Sequence, residues 1–283
     1  MTHPLLSLAA FAARVLPMPV KRFIYRLGPL ANAVRVGLNR AAQHGLTEVT
    51  VAGGGLAGLR LQLDMQKEKD YWLGTYEPDL QAALRELAQP GMTAYDVGAH
   101  IGYISLLLAR AVRPSGRVFA FEPLPANLDR LRANLALNPQ IANVTVIPAA
   151  ASDRTGATRF LLHASGEMGK AEGSAGRQAA YSGAVDVAAI ALDDFVYAQG
   201  HPAPGLLKLD IEGGEVLALP GMRRLLAEAR PVVLLELHGP ESAAAAWAAF
   251  IAAGYSLHRM AAGLPRVTAL DELDWKAYVV ARP

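Results

Sequence analysis

The sequence predicts an α/β protein whose mostly parallel β-sheet carries helices on both faces. The stretch from Thr93 to Pro123 reads as strand, glycine-containing loop, helix and strand. Further apolar runs follow this βαβ unit at Val144 to Ala150, Gly205 to Asp210 and Pro231 to His238. The 283 residues are 52% hydrophobic, which is enough to bury a large core. Strands that alternate with helical segments around one core are typical of a parallel sheet.

The composition excludes several kinds of site. The chain has no cysteine, so disulfides, thiolate zinc sites and a cysteine nucleophile are ruled out. The formal charge is only +2, and the basic residues form no dense run with interleaved aromatics. Nucleic acid is therefore not an expected partner.

Residues 1–46 are predicted to form a helical extension, and residues 47–283 the main domain. The extension has no acidic residue, but it has several basic ones: Arg14, Lys21, Arg22, Arg26, Arg35 and Arg40. Two interpretations stay open, a helix that packs its apolar stripe on the main domain and a basic amphipathic helix on anionic lipid. The apolar run Leu5 to Ala13 is too short to span a bilayer and fits a signal peptide poorly. We expect a cytoplasmic protein, membrane-associated under the second interpretation.

The loop between the first two core strands predicts a nucleoside site. It reads DVGAHIG, with Asp96 near the strand end and glycines at 98 and 102, and the second strand ends at Glu122. The helix N-terminus offers free N–H groups, and Glu122 is placed to accept hydrogen bonds from two ribose hydroxyls. A dinucleotide site needs a third glycine that this loop lacks. An amino-acid-bearing nucleoside such as S-adenosylmethionine fits better, because Asp96 can take its ammonium group. The alternative is that the glycines serve packing alone.

A second group of ionisable residues predicts an acceptor site. The sequence KLDIEGGE ends an apolar strand, and alternation places Lys208, Asp210 and Glu212 on one face if the strand persists. The next strand ends with Glu236 and His238. Buried charges need partners, so these side chains are expected to meet a polar ligand, a metal or one another.

The rest of the chain predicts a lid and two closing strands. Residues 163–183 are rich in glycine, serine and alanine and predict a loop over the site. The runs Tyr255 to Met260 and Trp275 to Ala281 predict the last two strands.

Taken in order, the motifs resemble the FkbM family of S-adenosylmethionine-dependent methyltransferases. The resemblance runs from about residue 76 to about residue 238. It covers GTYEP, DVGAHIGYISLLLA, FAFEP, the PxNxxxLxxN segment from Pro125 through Asn127 to Asn134, AAASDRTG, LDDF, KLDIEGGE and LLELH. It implies a Rossmann-like class I methyltransferase fold, with a seven-stranded, mostly parallel sheet and one antiparallel strand. It also implies methylation of a hydroxyl on a sugar, glycolipid or secondary metabolite. His100 departs from the asparagine that is usual in the family at this position.

Chemistry and resemblance together give a set of candidate residues. The cofactor-binding candidates are Asp96, Gly98, His100, Gly102, Glu122 and Asn127. The catalytic candidates are Asp210, Glu212 and His238, one of which is expected to act as general base for a poorly nucleophilic hydroxyl. Glu215 and Glu236 are second candidates, as metal ligands or as orienters of His238. A divalent metal suits these carboxylates and the imidazole, but no ligand spacing fixes it.

Two other functions stay open beside methyl transfer to a small-molecule or glycan acceptor. The first is a nicotinamide-dependent oxidoreductase, against which the missing third glycine argues. The second is a non-catalytic, methyltransferase-like binding module held at a membrane surface by residues 1–46.

Overall fold

The computed structural model describes residues 4–16, 20, 28–41, 44–163, 169–176 and 181–283. The chain divides into two compact units, one of residues 1–78 with 133–140 and one of residues 79–132 with 141–283. The predicted division at residue 46 stays a prediction.

The first unit contains two helices, a β-hairpin and a short helix. Their bounds are α1 Pro4–Val15, α2 Gly28–Ala41, β1 Leu46–Thr50, β2 Arg60–Asp64 and α3 Lys69–Leu73. Strands β1 and β2 pair antiparallel along their whole length. Helix α1 buries Leu6 and Ala13 within this unit. Across the part of the chain that the structure describes, no helix is both long and apolar enough to cross a bilayer.

The second unit holds two β-sheets and the remaining helices, apart from the helical residues 78 and 133–136. Its strands are β3 Thr93–Val97, β4 Arg117–Phe121, β5 Val144–Ile147, β6 Ala150–Ala151, β7 Gly156–His163, β8 Gly169–Ala171, β9 Tyr181–Ile190, β10 Leu206–Leu209, β11 Val232–His238, β12 Ser256–Arg259, β13 Arg266–Val267 and β14 Lys276–Arg282. The helices that follow α3 are α4 Pro78–Leu87, α5 Tyr103–Val112, α6 Pro125–Ala136, α7 Glu215–Ala218, α8 Arg223–Glu228 and α9 Pro240–Ala252.

The large sheet has the order β13-β12-β14-β11-β10-β3-β4-β5. Strands β11, β10, β3, β4 and β5 are parallel, whereas β14 pairs antiparallel with both β11 and β12. This order confirms the predicted class I methyltransferase fold, but the described residues form eight strands instead of seven. The additional strand is β13, which spans two residues and pairs antiparallel with β12 at the sheet edge. Two residues are too few to produce an alternating pattern in the sequence.

A smaller sheet of order β6-β9-β7-β8 lies between β5 and β10 in the chain. It corrects the predicted loop at 163–183, because residues 169–171 and 181–183 are strand residues. Residues 164–168 and 177–180 of that predicted loop lie outside the described residues. Antiparallel pairing of β7 with β8 and β9 buries Phe160, Ala171 and Val187 in one small core. This burial explains why residues of low periodicity still form strands.

The main core lies along one face of the large sheet. Tyr95, Phe119, Phe121 and Phe195 form an aromatic cluster with ring centroids between 5.1 and 5.7 Å apart. All four residues of β10 are buried, and one of them is Lys208. The rigid central strands therefore fix the residues at their carboxyl ends.

Candidate active site

Four adjacent strands bring predicted side chains to one edge of the large sheet. Asp96 is the penultimate residue of β3, Glu122 follows β4, Asp210 follows β10, and His238 ends β11. These strands are parallel neighbours in the order β11-β10-β3-β4, so their carboxyl ends lie side by side. Ligands of open α/β sheets bind at this edge.

Glu122 is held in place by three hydrogen bonds. Its Oε2 accepts from the His100 N–H at 2.9 Å, and its Oε1 accepts from the Leu124 N–H at 2.9 Å and from Asn127 Nδ2 at 3.2 Å. The side chain is 4% exposed. Burial raises the pKa of Glu122 above its ordinary value, and the three hydrogen bonds only partly oppose this effect.

The two loop glycines are required by contacts within the protein. Gly98 has φ +84°, and a Cβ there would lie 2.0 Å from the carbonyl oxygen of Asp210. Gly102 has φ +87°, and a Cβ there would lie 2.4 Å from Leu131 Cδ1. His100 lies in the same left-handed region with φ 49°, which asparagine and histidine tolerate better than most residues. These contacts support the packing interpretation, while contact between the loop and a ligand stays a prediction.

Asp96 lies beneath the loop with no exposed surface. Its Oδ2 accepts a 2.6 Å hydrogen bond from Ser105 Oγ, and its Oδ1 lies 3.3 Å from Lys208 Nζ. A role for Asp96 at the ligand's ammonium group stays a prediction. Ser105 was absent from the predicted site, although a serine within the apolar helix YISLLLARAV is the sequence feature that could have indicated it.

The catalytic candidates form one cluster around His238. Its Nε2 lies 3.1 Å from Glu236 Oε1, 3.7 Å from Glu212 Oε2 and 3.9 Å from Asp210 Oδ1. Its Nδ1 lies 3.3 Å from Glu215 Oε1. The structure thus brings together all three catalytic candidates and both second candidates.

His238 carries a positive charge in this environment. Burial alone lowers the pKa of His238, but hydrogen bonds to Glu215 and Glu236 and the charge of Asp210 raise it to about 10. Both ring nitrogens face carboxylate oxygens, which accept hydrogen bonds and cannot donate them when ionised. The ring is therefore an imidazolium whose two N–H groups point at carboxylates.

Lys276 joins the cluster from β14. Its Nζ contacts Glu236 Oε1, and Lys276 is paired with His238 in the antiparallel register of β11 and β14. Although burial raises the pKa of Glu236, His238 and Lys276 hold it below its ordinary value. The sequence placed a strand at 275–281, but a contact across 40 residues becomes visible only with the strand register.

The alternation predicted for KLDIEGGE holds only in part. Lys208 Nζ lies 3.5 Å from Asp210 Oδ2, so these two residues share a side as expected. The strand ends at Leu209, however, and Glu212 has φ 54° in a turn. Glu212 is exposed, but the turn still places its carboxylate beside His238.

Asp210, Glu236 and His238 are the described residues suited to a metal. One ligand atom from each lies within 4.8 Å of the others, and carboxylate with imidazole suits several divalent ions. Lys208 and Lys276 already contact the two carboxylates. A metal at this position stays a prediction.

The sheet order, the strand-end loop and Glu122 define a Rossmann-like domain of the class I methyltransferase type. Residues 96–257 match a family model described as the methyltransferase FkbM domain, which covers more than half of the chain. The chain therefore belongs to the FkbM methyltransferase domain family.

Individual relatives resemble the chain at moderate identity. The hexuronic acid methyltransferase AglP of Haloferax volcanii is 30% identical over 162 residues, which are 57% of this chain and 62% of AglP. The 31-O-demethyl-FK506 methyltransferase FkbM of Streptomyces tacrolimicus is 29% identical over 160 residues, covering 47% of this chain and 60% of the relative. The chain thus spans about three-fifths of the length of these curated relatives. A crystal structure of methyltransferase FkbM from Methylobacillus flagellatus aligns with a TM-score of 0.46 and 18% identity, over 77% of this chain and 54% of the other.

Proposed function

We propose that the protein is an S-adenosylmethionine-dependent O-methyltransferase acting on a hydroxyl of a sugar, glycolipid or secondary metabolite. The observation that carries this proposal is the position of Glu122 and Asp210 at the ends of strands on either side of β3. The carboxylate of Glu122 suits a nucleoside ribose, and that of Asp210 suits a reacting hydroxyl. Membership of the FkbM methyltransferase domain family supports the same function.

The residues around Glu122 fit the nucleoside of S-adenosylmethionine. Among the described residues, Glu122 Oε2 accepts one hydrogen bond, from His100, and a carboxylate oxygen has capacity for a second. A ribose hydroxyl can use that capacity. Helix α5 begins at Tyr103, so the N–H groups of its first turn point toward the loop. The loop lacks the third glycine that a pyrophosphate requires, which disfavours a nicotinamide dinucleotide.

Bound S-adenosylmethionine would supply a methyl carbon on a sulfonium; on attack by the acceptor oxygen, the carbon–sulfur electron pair would stay on sulfur and the hydroxyl proton would be released. Asp210 is the base that takes this proton. Its side chain is 21% exposed, and its backbone contacts Gly98 in the loop of residues 98–102, here called the cofactor loop. A carboxylate suffices, because the hydroxyl becomes far more acidic as its oxygen gains the methyl group.

The other members of the cluster are less suited to the role of base. His238 directs both ring nitrogens at carboxylates, so it has no free lone pair to accept a proton. Glu236 is only 6% exposed, against 21% for Asp210, and its contacts with Lys276 and His238 are closer than those of Asp210 with Lys208 and His238. Glu212 is exposed on a turn, where water competes for its carboxylate. We assign His238 the role of holding the carboxylates around the reacting hydroxyl.

Assays with isotopically labelled methyl donor test this proposal. The protein is incubated with labelled S-adenosylmethionine and extracts of metabolites and glycolipids, and products are searched by mass spectrometry. A labelled product from the native chain and none from Asp210→Asn would support the proposal. Binding of S-adenosylmethionine without any labelled product would favour the non-catalytic module. Turnover that persists after dialysis against a chelator would support a base that needs no metal.

The names of the relatives support a hydroxylated organic acceptor. AglP is named for a hexuronic acid and FkbM of Streptomyces tacrolimicus for 31-O-demethyl-FK506. One is a sugar acid and the other a secondary metabolite. We therefore place the acceptor of this chain among small molecules or glycans.

We further propose that residues 1–46 hold this cytoplasmic enzyme on an anionic membrane surface. Helix α1 has an exposed apolar stripe at three- and four-residue spacing, formed by Leu5, Leu8, Phe11 and Val15, each 47–65% exposed. The buried residues Leu6 and Ala13 lie on the opposite side of the helix. No acidic residue precedes Glu48, so nothing in this segment repels anionic lipid.

Sedimentation with lipid vesicles tests the membrane contact in the full-length chain. Leu8→Glu with Phe11→Glu is expected to abolish pelleting with phosphatidylglycerol vesicles and to leave the thermal midpoint unchanged. Ile251→Glu on α9, another exposed apolar residue, serves as the matched control. Equal pelleting of both variants, or equal pelleting with phosphatidylcholine vesicles, would contradict the proposal.

A further inference from the structure

Lys208 is a buried lysine within the central strand β10. Its side chain is 4% exposed, and in the sheet register it lies opposite Asp96 of β3 and Leu234 of β11. An unpaired ammonium group at such a position is strongly destabilising, because burial removes its hydration. The partners of Lys208 must therefore compensate its burial.

The ammonium group of Lys208 lies among four oxygen atoms. It donates to the carbonyl oxygens of Gly98 at 2.7 Å and Val97 at 3.4 Å. It also lies 3.3 Å from Asp96 Oδ1 and 3.5 Å from Asp210 Oδ2. Three of these oxygens belong to the end of β3 and its loop, and one belongs to the residue after β10. The Lys208 ammonium group therefore links the end of β3 and its loop to Asp210 after β10.

This contact gives the two oxygens of Asp210 different surroundings. Oδ2 faces Lys208, whereas Oδ1 lies 3.9 Å from Nε2 of His238. The backbone of the same residue contacts Gly98, where a Cβ would lie 2.0 Å from the Asp210 carbonyl oxygen. Both the backbone and the carboxylate of Asp210 are therefore fixed relative to the cofactor loop.

We propose that Lys208 is a positioning residue that sets the distance between the cofactor loop and the base Asp210. This inference rests on the proposed methyl transfer. Without the ammonium group, the negative carboxylates of Asp96 and Asp210 and the partially negative oxygen of the Gly98 carbonyl repel one another and separate. In-line transfer is sensitive to such separation, since a shift of about 1 Å can cost about a hundredfold in rate.

The test compares Lys208→Met with Lys69→Met in the full-length chain. Lys69 is another buried lysine, 8% exposed, whose Nζ donates to the Gln66 carbonyl. Calorimetry gives the affinity for S-adenosylmethionine, and the labelled-methyl assay gives turnover at saturating donor. We expect Lys208→Met to lower turnover by about a hundredfold while donor affinity falls by less than about tenfold. Lys69→Met is expected to retain the native turnover.

A second variant keeps the test decisive if Lys208→Met fails to fold. Lys208→Met combined with Asp96→Asn removes both charges of the buried pair, and it is compared with Asp96→Asn alone. Turnover at saturating donor would overturn the positioning role if Lys208→Met equals Lys69→Met. The same holds if the double variant equals Asp96→Asn alone. Failure of the native chain to bind S-adenosylmethionine would overturn the proposed function and this role together, so the two failures are distinguishable.

Discussion

Glu215 Oε1 lies 3.3 Å from Nδ1 of His238, and neither side chain is more than 5% exposed. Glu215 also accepts hydrogen bonds from Ser242 Oγ at 2.8 Å and from the Ile211 N–H at 3.2 Å. It therefore ties α7 to α9, to the end of β11 and to the turn after β10. Glu215 is thus one of two buried carboxylates, with Glu236, that hold the candidate catalytic cluster around His238.

Replacement of Glu215 by glutamine should destabilise the fold. The amide cannot balance the imidazolium of His238, and it has only one acceptor oxygen for the donors that now bind both oxygens of Glu215. We expect Glu215→Gln to lower the free energy of unfolding by about 3 kcal/mol, as for other broken buried ion pairs. Denaturant unfolding measures the change, with the exposed Glu86→Gln as control. Equal stability of the two variants would show that the His238 contact contributes nothing.

Gly102 offers a test of packing beneath the cofactor loop. A methyl group there meets Leu131 at 2.4 Å and also carries the strain of φ +87°. We expect Gly102→Ala to cost about 3 kcal/mol, because clash and backbone strain add. Gly58 has the same φ of +87° with nothing within 4 Å of the added Cβ, so Gly58→Ala isolates the backbone term at about 1 kcal/mol. Equal losses from both substitutions would remove the Leu131 contact from the explanation.

Donor affinity should depend on pH through Glu122. Under the proposed function, ribose hydroxyls donate hydrogen bonds to the ionised carboxylate of Glu122, and burial raises the pKa of this group. Affinity for S-adenosylmethionine is therefore expected to be full above the raised pKa and to fall as acidification protonates Glu122. Glu122→Gln should weaken binding by about tenfold or more, consistent with loss of a charged hydrogen-bond acceptor. It should also abolish the fall in affinity at acidic pH. Calorimetry from neutral to mildly acidic pH measures both effects. If affinity still falls on acidification in the variant as it does in the native chain, Glu122 is not the group responsible.

Asp210 and Glu212 can be separated by matched amide substitutions. Asp210→Asn should lower turnover by about a thousandfold, within the range for a lost general base, and leave donor affinity within a few-fold. Glu212→Gln changes an exposed carboxylate and should lower turnover by less than about tenfold. The labelled-methyl assay at saturating donor measures both rates. A larger loss from Glu212→Gln would transfer the role of base to Glu212.

The sequence predicted those parts of the fold that have a strong local pattern. The strands that end near Asp96, Glu122, Asp210 and His238 are apolar runs, and parallel βαβ connections place β4 beside β3 and β11 beside β10. The position of β10 beside β3 is a crossover that no local pattern predicts. Strand β13 could not be predicted, because two residues show no alternation. Within the small sheet, β8 could not be predicted, because it lies in a stretch of low periodicity and is held by its pairing with β7.

The sequence predicted which residues lie at the site, but not which residues they contact. Carboxylates at strand ends were visible in KLDIEGGE and LLELH, whereas their ion partners depend on register and side-chain direction. Lys276 reaches Glu236 only because β14 runs antiparallel to β11. Lys208 turns inward toward Asp96 and Gly98, which alternation alone could not distinguish from a direction toward a ligand.

Calorimetric titration of the native chain with S-adenosylmethionine, its demethylated product and NAD tests the central claim most directly. A nucleoside site built on Glu122 without a pyrophosphate loop should bind the donor and its product at one site per chain and leave NAD unbound. Saturable binding of NAD with no heat from either sulfur nucleoside would contradict the claim.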